Sequence, residues 1–159
     1  MKILTIDRAK CTGCGACQMI CSIAKKGTVM PSDARIRIRR AGGIDTQYAV
    51  VCQHCAEPVC VSACMRGIID KDPGTGVVSR RTEDCFACAA CRVMCPVGAV
   101  TYDRDQEAFV TCDLCGGDPV CVKVCPTQAL RFEDVHQASL DLRSKYAQNL
   151  LNPTEGGVN

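Results

Sequence analysis

The sequence predicts an α+β fold of two pseudo-symmetric halves followed by a C-terminal helix, and three observations predict it. All sixteen cysteines of the 159-residue chain fall into four groups of four. A short apolar strand pattern recurs after three of those groups, which marks an internal repeat. After Phe132 the apolar spacing changes to that of a helix.

The groups are Cys11, Cys14, Cys17, Cys21; Cys52, Cys55, Cys60, Cys64; Cys85, Cys88, Cys91, Cys95; and Cys112, Cys115, Cys121, Cys125. Each opens with CxxC and closes with CxxxC, and the first and third match the full CxxCxxCxxxC run that holds a cubane 4Fe–4S cluster. Three thiolates at three-residue steps on a tight turn reach three corners of a cubane. The fourth leaves on the start of a helix and ligates a neighbouring cluster. Sixteen thiolates with no remainder therefore predict four 4Fe–4S clusters in two reciprocal pairs.

Other uses of cysteine fit less well. Structural zinc pairs two CxxC knuckles a dozen or more residues apart, whereas here a third and a fourth cysteine follow each knuckle almost at once. A disulfide scaffold needs an oxidising compartment, and Met1 to Lys10 carries neither an apolar h-region nor a twin arginine. Separate redox-active CxxC sites would not carry closing cysteines in every group. Aromatics are only 4% of the chain and Trp is absent. Two halves of roughly 80 residues are marginal alone, so clusters must supply much of the folding free energy and the apo-chain is expected to be largely unfolded. The formal charge of +2 falls to roughly −6 once each oxidised cluster with four thiolates adds about −2.

In sequence order, Lys2 to Asp7 alternates apolar and polar residues and predicts a strand. Arg35 to Arg39 alternates more strictly, with Ile36 and Ile38 on one face and three arginines on the other. That arginine face suits a solvated strand edge, and equally an acidic partner or screening of cluster charge. The repeat follows in Cys64-Met-Arg-Gly-Ile-Ile, Cys95-Pro-Val-Gly-Ala-Val and Cys125-Pro-Thr-Gln-Ala-Leu: a closing cysteine, a turn, then an apolar pair starting a strand. Pro96 and Pro126 end local helix after the ligand. Cys21 and Cys64 lack that proline. Pro73-Gly74-Thr75-Gly76 predicts a turn ahead of Val77-Val78, and Ala99–Asp103 with Glu107–Val110 a hairpin about Arg104-Asp105-Gln106. Val135, Ala138, Leu142 and Tyr146 then recur at helical spacing, Asp141 and Lys145 are set to pair, Asn152-Pro153 stops the helix, and the tail from Pro153 is expected to be mobile. The helix either folds back over its own core or docks its apolar face on a partner. His54, inside CxHC, is expected beside a cluster or at the surface rather than as a ligand. Met19 and Phe86 are expected to exclude water around clusters.

Cys52-Gln-His-Cys55-Ala-Glu-Pro-Val-Cys60 and Cys112-Asp-Leu-Cys115-Gly-Gly-Asp-Pro-Val-Cys121-Val-Lys-Val-Cys125-Pro126 resemble the four-cluster ferredoxin subunits of complex oxidoreductases. These include the iron–sulfur subunits of formate dehydrogenases and dimethyl sulfoxide reductase, the electron carrier of carbon monoxide dehydrogenase, hydrogenase-linked proteins and the small subunits of tungsten aldehyde oxidoreductases. The resemblance covers about residues 1–132 and implies two bacterial-ferredoxin-like dicluster modules. The outer module would be about 1–45 with 108–132 and the inner about 46–107, with 133–159 a helix and tail. It further implies a nested exchange of ligands: Cys11, Cys14, Cys17 with Cys125; Cys112, Cys115, Cys121 with Cys21; Cys52, Cys55, Cys60 with Cys95; Cys85, Cys88, Cys91 with Cys64. Spacing alone suits a sequential pairing of neighbouring motifs as well.

No nucleophile–base pair, phosphate loop or open metal site is visible, so the chain is expected to relay single electrons and leave substrate chemistry to another subunit. By resemblance that subunit is a molybdenum- or tungsten-pterin oxidoreductase, with tungsten aldehyde oxidoreductase foremost. A flavin subunit, a ferredoxin or a second copy of the chain would be the other redox partner. The alternative is a free polyferredoxin, or a carrier for carbon monoxide dehydrogenase or hydrogenase. No stretch approaches the ~18 apolar residues of a membrane span, nothing resembles a nucleic-acid site, and the expected location is the cytoplasm.

Overall fold

Among the described residues, 1–40 and 47–151 of a computed structural model, eight short strands pair two by two and five helices carry cysteines or close the chain. The side chains of Lys145, Asn149 and Leu150 lie outside the description. Strand β1 (Lys2–Ile6) pairs antiparallel with β8 (Leu130–Asp134), Lys2 opposite Asp134 and Ile6 opposite Leu130. The Asp7 amide continues the ladder to the Ala129 carbonyl at 2.8 Å. The first motif follows β1 and the fourth precedes β8, so this one pairing brings the two ends of the cysteine series together.

The remaining strands are local hairpins. β2 (Arg37–Arg40) pairs with β3 (Gln47–Val50), β4 (Ile69–Lys71) with β5 (Val78–Arg80), and β6 (Thr101–Asp103) with β7 (Ala108–Val110). The turn between β4 and β5 is closed by Asp72, whose Oδ1 accepts from the Thr75 hydroxyl at 2.6 Å. Gly76 there has φ +74°, and a Cβ on it would run into the Met1 thioether. Both predicted turns are found. Strand β2 begins at Arg37, not Arg35: the Arg35 amide is already spent on the Cys21 sulfur at 3.3 Å.

Helix α1 (Ala16–Lys26) carries Cys17 and Cys21, while α2 (Val59–Ser62), α3 (Ala90–Val93) and α4 (Val120–Lys123) each carry the third cysteine of a group. The closing cysteines Cys64, Cys95 and Cys125 follow these short helices instead of starting one. Each is the first residue of the same turn, its carbonyl accepting from the amide three residues on: Gly67 at 3.0 Å, Gly98 at 3.2 Å and Gln128 at 3.2 Å. All three turns end in left-handed backbone. Cys64 makes the same turn without a proline. Cys21 differs in lying mid-helix. Its helix runs on to Gly27, which caps it at φ +71° with its amide on the Ile23 carbonyl.

Two cores result. Leu4, Ile36, Ala49, Val51, Leu114 and Leu130 pack with Cys17, Cys21, Cys112 and Cys121, whereas Ile68, Ile69, Val78, Val100 and Phe109 pack with Cys91. Tyr102 adds an edge-to-face contact to Phe109 at 5.3 Å. Lys26 ties the cores together from the end of α1, reaching Asp103 at 2.6 Å and Asp105 at 2.8 Å in the β6–β7 hairpin.

Helix α5 (Val135–Leu151) starts where Asp134 Oδ1 accepts the His136 amide at 2.9 Å. Ala138 is 2% exposed against β1 and β8, but Leu142 and Tyr146 are 66% and 68% exposed, so most of the apolar stripe is not folded back over the chain. Asp141 meets Arg131 at 3.7 Å and Gln137 at 2.9 Å. The expected Asp141–Lys145 pair, the stop at Asn152-Pro153 and the tail fall outside the described residues. No described helix is long and apolar enough to cross a membrane.

Candidate iron–sulfur centres

The thiols gather into four sets that cross the sequence. Cys11, Cys14 and Cys17 share a cavity with Cys125 (site A). Cys112, Cys115 and Cys121 stand with Cys21 (site B), close enough that thiolates at Cys21 and Cys115 oppose ionisation of Cys121. Cys52, Cys55 and Cys60 line a cavity with Cys95 (site C), and Cys85, Cys88 and Cys91 one with Cys64 (site D). In space the first motif is joined to the fourth and the second to the third. A thiolate at Cys17 of site A opposes ionisation of Cys121 in site B, and one at Cys60 of site C opposes that of Cys91 in site D, so each pair of sites is close in space. Cys52 packs on the core that holds thiols of both A and B, which sets C against the outer half.

The knuckles share a backbone device that composition hides. The third residue of each CxxC is left-handed: Gly13 at +67°, His54 at +45°, Ala87 at +54° and Leu114 at +54°. Such a turn aims successive amides into one concavity, a nest suited to an anionic cluster. Amides also reach sulfur directly, from Ala99 to Cys95 at 3.4 Å and from Leu114 to Cys112 at 3.4 Å. Burial alone would raise the pKa of Cys125, yet amides of Leu130, Ala129 and Thr127 with the Thr127 hydroxyl hold it below the ordinary thiol value. At three other thiols burial dominates: Cys17 is pushed up to about 11, and Cys112 and Cys121 to about 12, with neighbouring thiolates adding to the rise.

Charged side chains stand behind these thiols. Asp113 is pulled up by burial but held down more strongly by Lys25 at 2.8 Å, the Cys115 amide at 3.0 Å and Arg35 at 2.7 Å. It thus pins the fourth knuckle to α1 and to the segment before β2. Arg35 faces site B through Asp113, Arg37 is half-buried on the Ser32 carbonyl at 2.5 Å, and Arg39 is exposed, so the predicted arginine face divides three ways. Arg80 lines both site C and site D. His54 is buried at 5% exposure, its Nδ1 accepting the Val78 amide at 2.9 Å and its Nε2 without a protein partner. Burial lowers its pKa, so it is a neutral ring with one N–H to give. Phe86 lines site D but is 54% exposed, and Met19 is 41% exposed, so both leave more surface to water than the expected exclusion role requires. Spacing could not have found Asp113, Lys25 or Arg80, since none lies in a pattern of its own.

Buried thiols around a cavity, amides aimed at sulfur, and orphaned donors on His54 and Arg80 suit an anionic sulfur-rich cluster. Among the described residues, no three His, Cys, Asp or Glu side chains converge on one point to hold a lone metal ion. Residues 46–135 match the 4Fe-4S dicluster domain, and residues 4–22 the 4Fe-4S binding domain. The chain belongs to the 4Fe-4S dicluster family. Among relatives, it is 36% identical to the polyferredoxin-like subunit of the aliphatic sulfonate oxidoreductase of Pyrococcus furiosus, over 77% of this chain and 70% of that protein. It is 30% identical to the B subunit of the anaerobic dimethyl sulfoxide reductase of Haemophilus influenzae, over 88% of this chain and 75% of that subunit. The beta subunit of the NADH-dependent phenylglyoxylate dehydrogenase of Aromatoleum evansii is 37% identical over 80% of this chain, which spans only 29% of that subunit's length. These dicluster relatives are subunits of oxidoreductases. The fold is also that of a subunit in the active site complex BamBC of benzoyl coenzyme A reductase, at TM-score 0.50, 24% identity and 98% coverage of both proteins.

Proposed function

We propose that this chain is the non-catalytic electron-transfer subunit of an oxidoreductase complex, holding four 4Fe–4S clusters on its sixteen cysteines. The observation that carries the reading is the assortment of every thiol into four sets of four, with none left for other chemistry. Bound clusters would each take up and release one electron. The protein's own part is to fix their spacing, keep water out and set their potentials through N–H···S bonds and charge. The ligand sets are those of sites A to D, nested as the resemblance implies. We read the sites as a row A, B, C, D. Of the sixteen cysteines only Cys14 and Cys88 are exposed, one at each end, and they mark where redox partners approach.

The two modules are pseudo-symmetric dicluster units, the outer formed by the ends of the chain and the inner by its middle. Packing of Ala49 and Val51 on the outer core, and of Phe109 on the inner, supports crossovers near 51 and 110. The catalytic partner is a molybdenum- or tungsten-pterin oxidoreductase, tungsten aldehyde oxidoreductase foremost, with a flavin subunit or ferredoxin at the other end, in the cytoplasm. The likeness to a polyferredoxin-like subunit supports a permanent subunit. Anaerobic purification from the native host tests this: about sixteen iron and sixteen sulfide per chain, with a larger pterin-containing chain co-eluting, is the expected result. Zinc in place of iron would overturn the cofactor. Elution of the iron-loaded chain alone would overturn the complex in favour of a diffusing polyferredoxin.

A further inference from the structure

Arg80 closes strand β5 opposite Ile69 and puts its guanidinium at the boundary of sites C and D, lining both. Its Nε donates to the Thr111 hydroxyl at 3.1 Å, and Thr111 is itself buried. Its Nη2 is buried with no protein acceptor. Among the described residues no carboxylate comes within ion-pair distance of it. Arg80 is half-buried, and a guanidinium partly withdrawn from water is stabilised by an anion nearby. The groups its free donor faces are those of the two sites. The positive charge draws down the pKa of Cys91, and to a lesser degree that of Cys52, against the burial that raises both. In the outer half Lys25 and Arg35 also approach a site, but they share the Asp113 carboxylate, which offsets one of their two charges.

Resting on the four-cluster reading above, we propose that Arg80 is a shared positive bridge between sites C and D, donating N–H bonds to sulfur at both and raising the reduction potentials of that pair. Adding an electron makes a site more negative, so a fixed cation stabilises the reduced state more than the oxidised. Its planar fork holds several donors in one fixed geometry between two sites, whereas a lysine ammonium is a compact charge on a flexible stem. Arg80 takes no electron itself; it is a positioning and tuning residue.

The test is an EPR-monitored redox titration of the anaerobic holo-protein, wild type against Arg80→Met and Arg80→Lys. In Arg80→Met two midpoints fall, each by at least a tenfold change in the reduced-to-oxidised ratio at fixed potential, about 59 mV for one electron. The other two stay in place. Arg80→Lys gives a smaller fall in the same two. Midpoints that do not move, or four that move equally, overturn the proposal. Should Arg80→Met fail to assemble, wild-type holo-protein labelled with 15N in the arginine side chains decides by pulsed EPR. A 15N coupling to two of the reduced signals, lost in Arg80→Lys, is expected, and its absence in wild type overturns the bridge. Iron near sixteen per chain with unmoved potentials sinks the bridge alone, whereas a wild type without iron sinks the cofactor reading as well.

Discussion

Left-handed backbone recurs at one position in four knuckles, yet only Gly13 announces it in the sequence. At Ala87, Leu114 and His54 the cluster nest imposes a conformation that L residues adopt at about 1–2 kcal/mol each. Gly13→Ala would set a Cβ 2.5 Å from the Gln47 Cβ as well as incurring that cost. Iron should then leave the site of Cys11 several-fold faster on dilution into chelator, followed by cluster absorbance and EPR. Ala87→Gly, which relieves strain, should leave iron retention at Cys85 unchanged or slower; faster loss would show that the left-handed turn is not strained. The pairing is tested by Cys95→Ser, which should alter the cluster held mainly by Cys52, Cys55 and Cys60. Damage confined to the cluster of Cys85, Cys88 and Cys91 would refute the nested ligand sets. All sixteen thiols are legible from spacing, since each lies in a run of its own kind. The groups behind them are not, because Asp113, Lys25 and Arg80 are ordinary charged residues until folding sets them beside sulfur.

Local elements were the readable ones. The β4–β5 and β6–β7 hairpins carry turn residues at their tips, and β1 forms where its pattern predicts, but β1 and β8 lie more than 120 residues apart and nothing local in either names its partner. Helix α1 likewise outruns its cysteines because only Gly27 stops it. At its end Lys26 spans the two cores, held above its ordinary pKa by the hydrogen bonds it donates to Asp103 and Asp105. Burial raises the Asp103 carboxyl, but Lys26 and the amides of Gln106 and Asp105 outweigh it and hold it low. A depressed carboxyl stabilises above its unfolded value of about 3.9 and a raised ammonium below about 10.4. The tie is therefore lost as pH falls through the acid range, or rises past the lysine range. Asp103→Asn should cost about 1–2 kcal/mol and flatten the acid limb of cluster-loss rate against pH; an unchanged limb would deny the tie any role. Helix α5 packs mainly through Ala138, so a chain ending at Asp134 should keep its iron and spectrum but bind a larger subunit more weakly. A complex of unchanged affinity would rule out α5 as the docking element.

At the scale of the whole molecule, folding and cofactor loading are one process. The cores are small and rich in cysteines, so chelating the iron should abolish most far-UV dichroism and amide protection. Protons compete with iron for the same sulfur, and the competition is uneven along the row. Cys17 at about 11 and Cys112 and Cys121 at about 12 all belong to sites A and B, where burial and neighbouring thiolates favour the protonated form of these three, while Cys125 of site A is held low by its amides. A raised thiol pKa stabilises the folded apo-chain below the ordinary thiol value of about 8.5, and that contribution disappears as pH rises toward the raised values. With iron bound the sign reverses, because the thiolate is the ligand and acid displaces the metal. The outer pair should therefore lose iron first on acidification, and the inner pair, whose Cys52 and Cys91 are partly relieved by Arg80, should outlast it. Stepwise lowering of pH under argon, with EPR after each step, separates the two. Loss of the inner signals first, or of all four together, would mean that burial of the outer thiols does not govern their hold on iron.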